Sequence, residues 1–120
     1  MQKSSESQEQ KAFIQECRWL ANSIPEYGLV FKIPNEGKRT FAYAAKMKAE
    51  GMESGVPDVF CAIMRKDYGG IFFEFKSAKG KLSKEQEAWG EKLRAAGYLV
   101  FIVTSAKHAM LLLKQYLSLK

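Results

Sequence analysis

Between Val59 and Phe75 the chain reads V-F-C-A-I-M-R-K-D-Y-G-G-I-F-F-E-F, two short apolar runs rich in β-branched and aromatic residues with a Gly-Gly pair between them. Runs this short suit strands, and a loop holding glycines suits a reversal, so the stretch predicts an antiparallel hairpin with strands at 59–64 and 71–75. Side chains alternate faces along a strand. Glu74 and Lys76 therefore project from one side, while Phe73 and Phe75 project from the other. Charges on a strand otherwise built for burial are costly, and they call for a partner, a metal or a solvent-lined cleft.

The flanking segments give the hairpin its setting. Phe13, Ile14, Cys17, Leu20, Ala21 and Ile24 recur at helical spacing after a cap at Ser4 or Ser5, with Glu6 and Glu9 in the first turns and Pro25 at the end. Residues 27–34 read as a strand running into the turn-like P-N-E-G. Residues 37–51 read as a short helix carrying Lys46 and Lys48, with Gly51 as its C-cap. A helix starts after Ser83, with Ala88, Trp89, Leu93 and Ala96 at helical spacing, and stops at Gly97. The continuous apolar run 98–104 suits a strand buried on both faces, and a last amphipathic helix from Ser105 packs Ala109, Leu112, Leu113, Tyr116 and Leu117. The order helix, strand, short helix, hairpin, helix, strand, helix predicts an α/β fold, a mixed sheet flanked by helices on both faces.

At 120 residues the chain suits one domain, spanning 1–120, with a core of its own. A net charge of +6 favours a polyanionic partner. A single His nearly excludes a His/Cys zinc site. Cys17 and Cys61 sit far apart in apolar segments and read as reduced thiols of a cytoplasmic protein. The polar N-terminus lacks the apolar region of a signal peptide, and no run is long enough for a membrane span.

Hydrolysing a phosphodiester requires neutralising charge that develops on phosphorus and activating a water, tasks suited to Mg²⁺ or Mn²⁺ held by one or two carboxylates. Asp58 and Glu74 occupy neighbouring positions in the predicted antiparallel pair, and Lys76 shares the face of Glu74. The two carboxylates can serve as metal ligands, and Lys76 can orient the attacking water or stabilise the transition state. The alternative is structural: an exposed Glu74–Lys76 pair on an edge strand, and Asp58 as a turn residue after Pro57.

The segments G-V-P-D (55–58), F-E-F-K (73–76) and K-L-S-K-E-Q (81–86), the Gly97-Tyr98 entry to the next strand, Glu6 with Gln10, and I-P-N-E-G-K-R occur in an order that resembles the virus-type replication-repair nuclease family, VRR-NUC. This is a branch of the PD-(D/E)xK superfamily. The resemblance implies a restriction-endonuclease-like fold and divalent-metal-dependent DNA cleavage. It implies Asp58 and Glu74 as metal ligands and Lys76 as the catalytic lysine. Gln86 matches a motif glutamine that supports the site, and Glu6 matches a helical glutamate that approaches the metal, ahead of Glu9. Small members resemble branched-DNA nucleases of phages and bacteria, some acting as homodimers on Holliday junctions. The alternative function is a basic DNA-binding module without catalysis.

Basic residues cluster in two stretches around the predicted site, Lys32, Lys38, Arg39, Lys46 and Lys48, then Lys79, Lys81 and Lys84. Asn35, Lys38, Arg39, Lys79 and Lys81 are the candidates for DNA contact. Phe41 and Tyr43 share a basic segment where stacking on an unpaired base is conceivable. Trp19, Trp89 and Tyr116 read as core or dimer packing, as do Leu111 to Leu113 for a dimer. His108 reads as a surface or helix-packing residue.

Overall fold

Ser5 opens the first helix, α1 (Glu6–Leu20), in a computed structural model that describes residues 5–34 and 40–120. Its hydroxyl accepts from Gln8 N at 3.0 Å, and the Gln8 side chain accepts from Ser5 N at 2.8 Å, a reciprocal box that satisfies two otherwise orphan donors. Phe13 and Cys17, one turn apart, are the buried residues of α1. Trp19 is 73% exposed, which excludes core packing and leaves the dimer-packing alternative. At 100° per residue it lies about 200° around the helix from Cys17, so it faces away.

The expected strand at 27–34 is shorter than its apolar run. Pro25–Leu29 forms a 3-10 helix with the proline at its start, and only Val30–Lys32 pairs as β1. Next comes α2 (Phe41–Ala49), capped by Thr40, whose hydroxyl accepts from Tyr43 N. None of its residues is buried. The hairpin strands follow as β2 (Val59–Cys61) and β3 (Ile71–Phe75), with β2 ending three residues before its expected limit. The reversal is built by Arg65 and Tyr68 bonding each other's backbone, with Lys66 at φ 51°. The glycines thus lie beyond the tip. Gly70 is required by closeness instead, since a Cβ there would stand 2.6 Å from Phe60 Cε1 and 2.7 Å from the Cys61 carbonyl oxygen.

Helix α3 (Lys84–Ala95), strand β4 (Leu99–Val103) and helix α4 (Ala106–Leu117) complete the chain. The sheet order is β1-β2-β3-β4, antiparallel through β3 and parallel between β3 and β4. The fold is therefore α/β, a mixed four-stranded sheet between helices. Against one face pack Phe13 and Cys17 of α1 and Met110, Leu113 and Tyr116 of α4, over Val59, Ile71, Phe73, Phe75 and Val103. Phe13 meets Phe73 edge-on at 5.2 Å between ring centres. On the other face Phe60 stacks on Phe72 at 4.3 Å, with Tyr98 edge-on to both. Tyr116 donates its hydroxyl to the Ile63 carbonyl at 2.6 Å, so the one polar atom of this core aromatic is satisfied.

Candidate functional site

Every residue of β3 is buried, including Glu74, which is 4% exposed. Register explains what it meets. Val59 pairs with Phe73, so one step further Asp58 lies across from Glu74. The β2 ladder has ended there, and the Asp58 side chain replaces the missing rung: its Oδ2 accepts from Phe75 N at 2.8 Å.

The segment before Asp58 is held by Gly55, whose φ of +93° suits glycine and whose closeness to α3 demands it. A Cβ at this position would lie 2.7 Å from the Glu85 carbonyl carbon. Gly55 thereby lets the G-V-P-D segment rest on the first turn of α3. That turn carries Gln86, whose Nε2 donates to Glu74 Oε2 at 3.2 Å. Gln86 Oε1 accepts from Ser83 N at 2.9 Å, and Ser83 Oγ accepts from Gln86 N at 3.1 Å. The capping box of α3 thus fixes which end of the amide faces the carboxylate.

Burial and the facing Asp58 carboxylate push the Glu74 carboxyl up to about 8. Burial also raises Asp58, opposed by the Phe75 N–H, by its hydrogen bond with Glu74 and by the Lys76 charge. The pair shares a proton more readily than it carries two negative charges, the electrostatic setting a cation relieves. Lys76 follows directly after β3, its N bonded to the Val103 carbonyl at 2.9 Å, and its charge lowers both carboxyls.

Glu6 reaches the same end of the sheet. Its Oε2 accepts from Ser77 N at 3.0 Å across 71 residues, and its charge raises both Asp58 and Glu74. Glu9 goes elsewhere: its Oε1 accepts from Ala106 N at 2.9 Å, at the start of α4. Of the two glutamates, Glu6 is the one beside the carboxylate pair. No group of three or more His, Cys, Asp or Glu side chains among the described residues converges as a ready-made metal cage. Two carboxylates are what Mg²⁺ or Mn²⁺ commonly takes from a protein, the other positions being filled by water and substrate oxygens. The donor set of half-buried Asp58 and buried Glu74 fits such an ion.

A cavity of about 120 Å³ opens beside Glu74 and Gln86, walled by Pro57, Leu82, Val100 and Ile102. Lys79 and Lys81 lie exposed in the loop between Lys76 and α3. Asn35, Lys38 and Arg39 fall outside the described residues. Exposed Lys46 and Lys48 lie on α2, along with Tyr43 and with Phe41, which is 92% exposed. Trp89 is half-buried under the Lys92 ammonium, which stands 5.2 Å from its ring centre, and His108 is exposed. No helix among the described residues is long and apolar enough to cross a membrane.

Comparison with known proteins agrees with the fold. The family model for the VRR-NUC domain matches residues 4–107. A solved structure described as a VRR_NUC domain protein superposes with a TM-score of 0.81 at 22% sequence identity, covering 99% of this chain and 93% of that one. No curated protein matches the chain in sequence.

Proposed function

The chain belongs to the VRR-NUC domain family of the PD-(D/E)xK nuclease superfamily, and from that premise we propose that it is a divalent-metal-dependent DNA endonuclease formed by a single domain. The observation that carries the reading is the juxtaposition of Asp58 and Glu74 at the buried end of β3, with Lys76 beside them. Asp58 and Glu74 would hold Mg²⁺ or Mn²⁺. When bound, the ion neutralises charge on the scissile phosphate and acidifies the attacking water.

The chain's own residues do the rest. The Phe75 N–H holds Asp58 through Oδ2, and Gln86 holds Glu74 through Oε2, so both carboxylates are oriented before any ion arrives. The Lys76 ammonium orients the attacking water and offsets the negative charge that grows on phosphate oxygens in the transition state. Glu6, anchored on Ser77 N, adds a third negative charge at the mouth of the site. Exposed Lys79 and Lys81 supply phosphate contacts, as do Lys38 and Arg39 with Asn35 beside them.

Branched DNA, Holliday junctions included, is the substrate class that the family resemblance favours, and a homodimer is the matching assembly. Trp19 on α1 and Leu111 on α4, 73% and 56% exposed, are apolar side chains that a second copy would cover. Sedimentation at micromolar concentration checks it, and a pure monomer removes it.

The deciding experiment assays linear, flap, fork and four-way-junction DNA with Mg²⁺ or Mn²⁺, using wild type, Asp58→Ala and Lys76→Ala. Metal-dependent cleavage is expected of the wild type and lost in both variants, with folding and DNA binding retained. Wild-type-like cutting by the variants removes the residue assignments. DNA binding without cleavage of any substrate would instead identify a non-catalytic binding module.

A further inference from the structure

A groove of about 270 Å³ runs between α1 and the edge strand β1, lined by residues that include Ser7, Gln10, Lys11, Gln15, Arg18 and Lys32. None of its lining residues is acidic. Positions 7, 11, 14 and 18 form one stripe of α1, flanking the Phe13–Cys17 stripe that enters the core, with Ile14 packed against that core. Lys32 projects from β1 on the side of buried Val30, toward α1.

Each wall of the groove leads along the chain toward the candidate site. On the helix wall, Ser7 follows Glu6, whose carboxylate is bonded to Ser77 N just past Lys76. On the strand wall, Lys32 pairs with Val59, and the next residue, Ile33, bonds through its N to the Asp58 carbonyl at 2.7 Å. Lys11, Arg18 and Lys32 are all exposed. Among the described residues the ion pair present is Arg65–Glu26, at the opposite end of β2, so no described carboxylate pairs with these three cations.

We infer that the α1–β1 groove is a phosphate track, which binds the backbone of the DNA strand on one side of the scissile bond. The inference rests on the nuclease reading for the identity of the polyanion. Its dimensions suit the role. Lys11 and Arg18 are separated by two helical turns, about 10 Å, the axial length of roughly three nucleotides of one strand. Lys and Arg supply the charge, and the hydroxyl and amides of Ser7, Gln10 and Gln15 supply neutral donors of the kind that contact phosphate and sugar without reading sequence. The track would take DNA of any sequence, as expected of an enzyme that selects shape.

The test measures binding of a fluorescein-labelled four-way junction and of a linear duplex in EDTA, over a range of salt. Two variants of equal charge are compared: Lys11→Gln/Arg18→Gln/Lys32→Gln in the groove, and Lys66→Gln/Lys114→Gln/Lys120→Gln away from it. Circular dichroism confirms that both fold. The groove variant is expected to bind at least about tenfold more weakly near 0.1 M salt, with a log–log salt slope shallower by roughly 2 to 3. The control is expected to stay within about twofold of wild type at the same salt. Equal losses in the two variants, or an unchanged slope in the groove variant, overturn the track. EDTA makes the measurement blind to catalysis, so failure here leaves the cleavage test of Asp58 and Lys76 standing, and the reverse also holds. A wild type that binds no DNA overturns both.

Discussion

Gln86 donates to Glu74 at 3.2 Å with one end of its amide while the other end accepts from Ser83 N at 2.9 Å. A helix cap and a buried carboxylate are thus joined by one side chain, and the cap decides which atom the carboxylate meets. Gln86→Glu keeps an acceptor for Ser83 N but sets a carboxylate against Glu74. Metal affinity, read by calorimetry, is expected to fall about 10- to 100-fold, with helix content preserved. Metal titration of Gln86→Glu indistinguishable from wild type would show that the contact does not tune the site.

Proton binding by the carboxylate pair gives a pH signature in chelator. The Glu74 carboxyl titrates near 8 in the fold, against 4.5 ordinarily, so between those values the native state holds a proton that the unfolded chain has released. Stability therefore falls as pH rises through that window, and the loss is complete above pH 8. Asp58, also raised, acts in the same direction. The melting temperature in EDTA is expected to drop by roughly 5 °C or more between pH 5 and pH 8 beyond any drop in Glu74→Gln. Parallel melting curves for the two proteins would contradict this.

Gly55→Ala combines a strained backbone with a clash against the Glu85 backbone, which no side-chain rotation relieves. A loss of roughly 2–4 kcal/mol is expected in urea unfolding. Gly51→Ala shares the positive φ but has open space around it, so it should lose less, about 1 kcal/mol. Equal losses would assign the cost to backbone conformation alone.

The two glutamates in the first turn of α1 should separate by phenotype. Glu9→Ala removes the acceptor for Ala106 N at the start of α4 and is expected to cost about 1 kcal/mol of stability. Its metal affinity should hold. Glu6→Ala, at an exposed position, should leave stability nearly unchanged and alter metal binding or cleavage. The opposite pattern, with Glu9→Ala weakening metal and Glu6→Ala silent, would reverse their roles.

Much of this architecture is legible in the residues. Short apolar runs mark β3 and β4, a 3.6-residue period marks α1, α3 and α4, and the Pro-Asp before the hairpin puts Asp58 across from Glu74. Pro25–Leu29 misleads because Tyr27, Leu29 and Val30 are apolar in a strand-like way, whereas the proline and the turn it starts wind the segment into a 3-10 helix. Of the two readings of Trp19, core packing fails because its angle from Cys17 turns it outward. The stripe of Lys11 and Arg18 is visible in the sequence, but Lys32 joins it only through sheet pairing. No local pattern announces the Glu9–Ala106 bond across 97 residues.

Glu74 hangs between Phe73 and Phe75, rings that are 0% and 1% exposed, and the Phe75 amide is the one that grips Asp58. Its hydrogen-exchange rate should therefore track whole-molecule unfolding, not loop opening. A carboxylate on such a strand shares the stability of the whole sheet, and only a side-chain neighbour such as Gln86 can re-aim it while the domain stays folded.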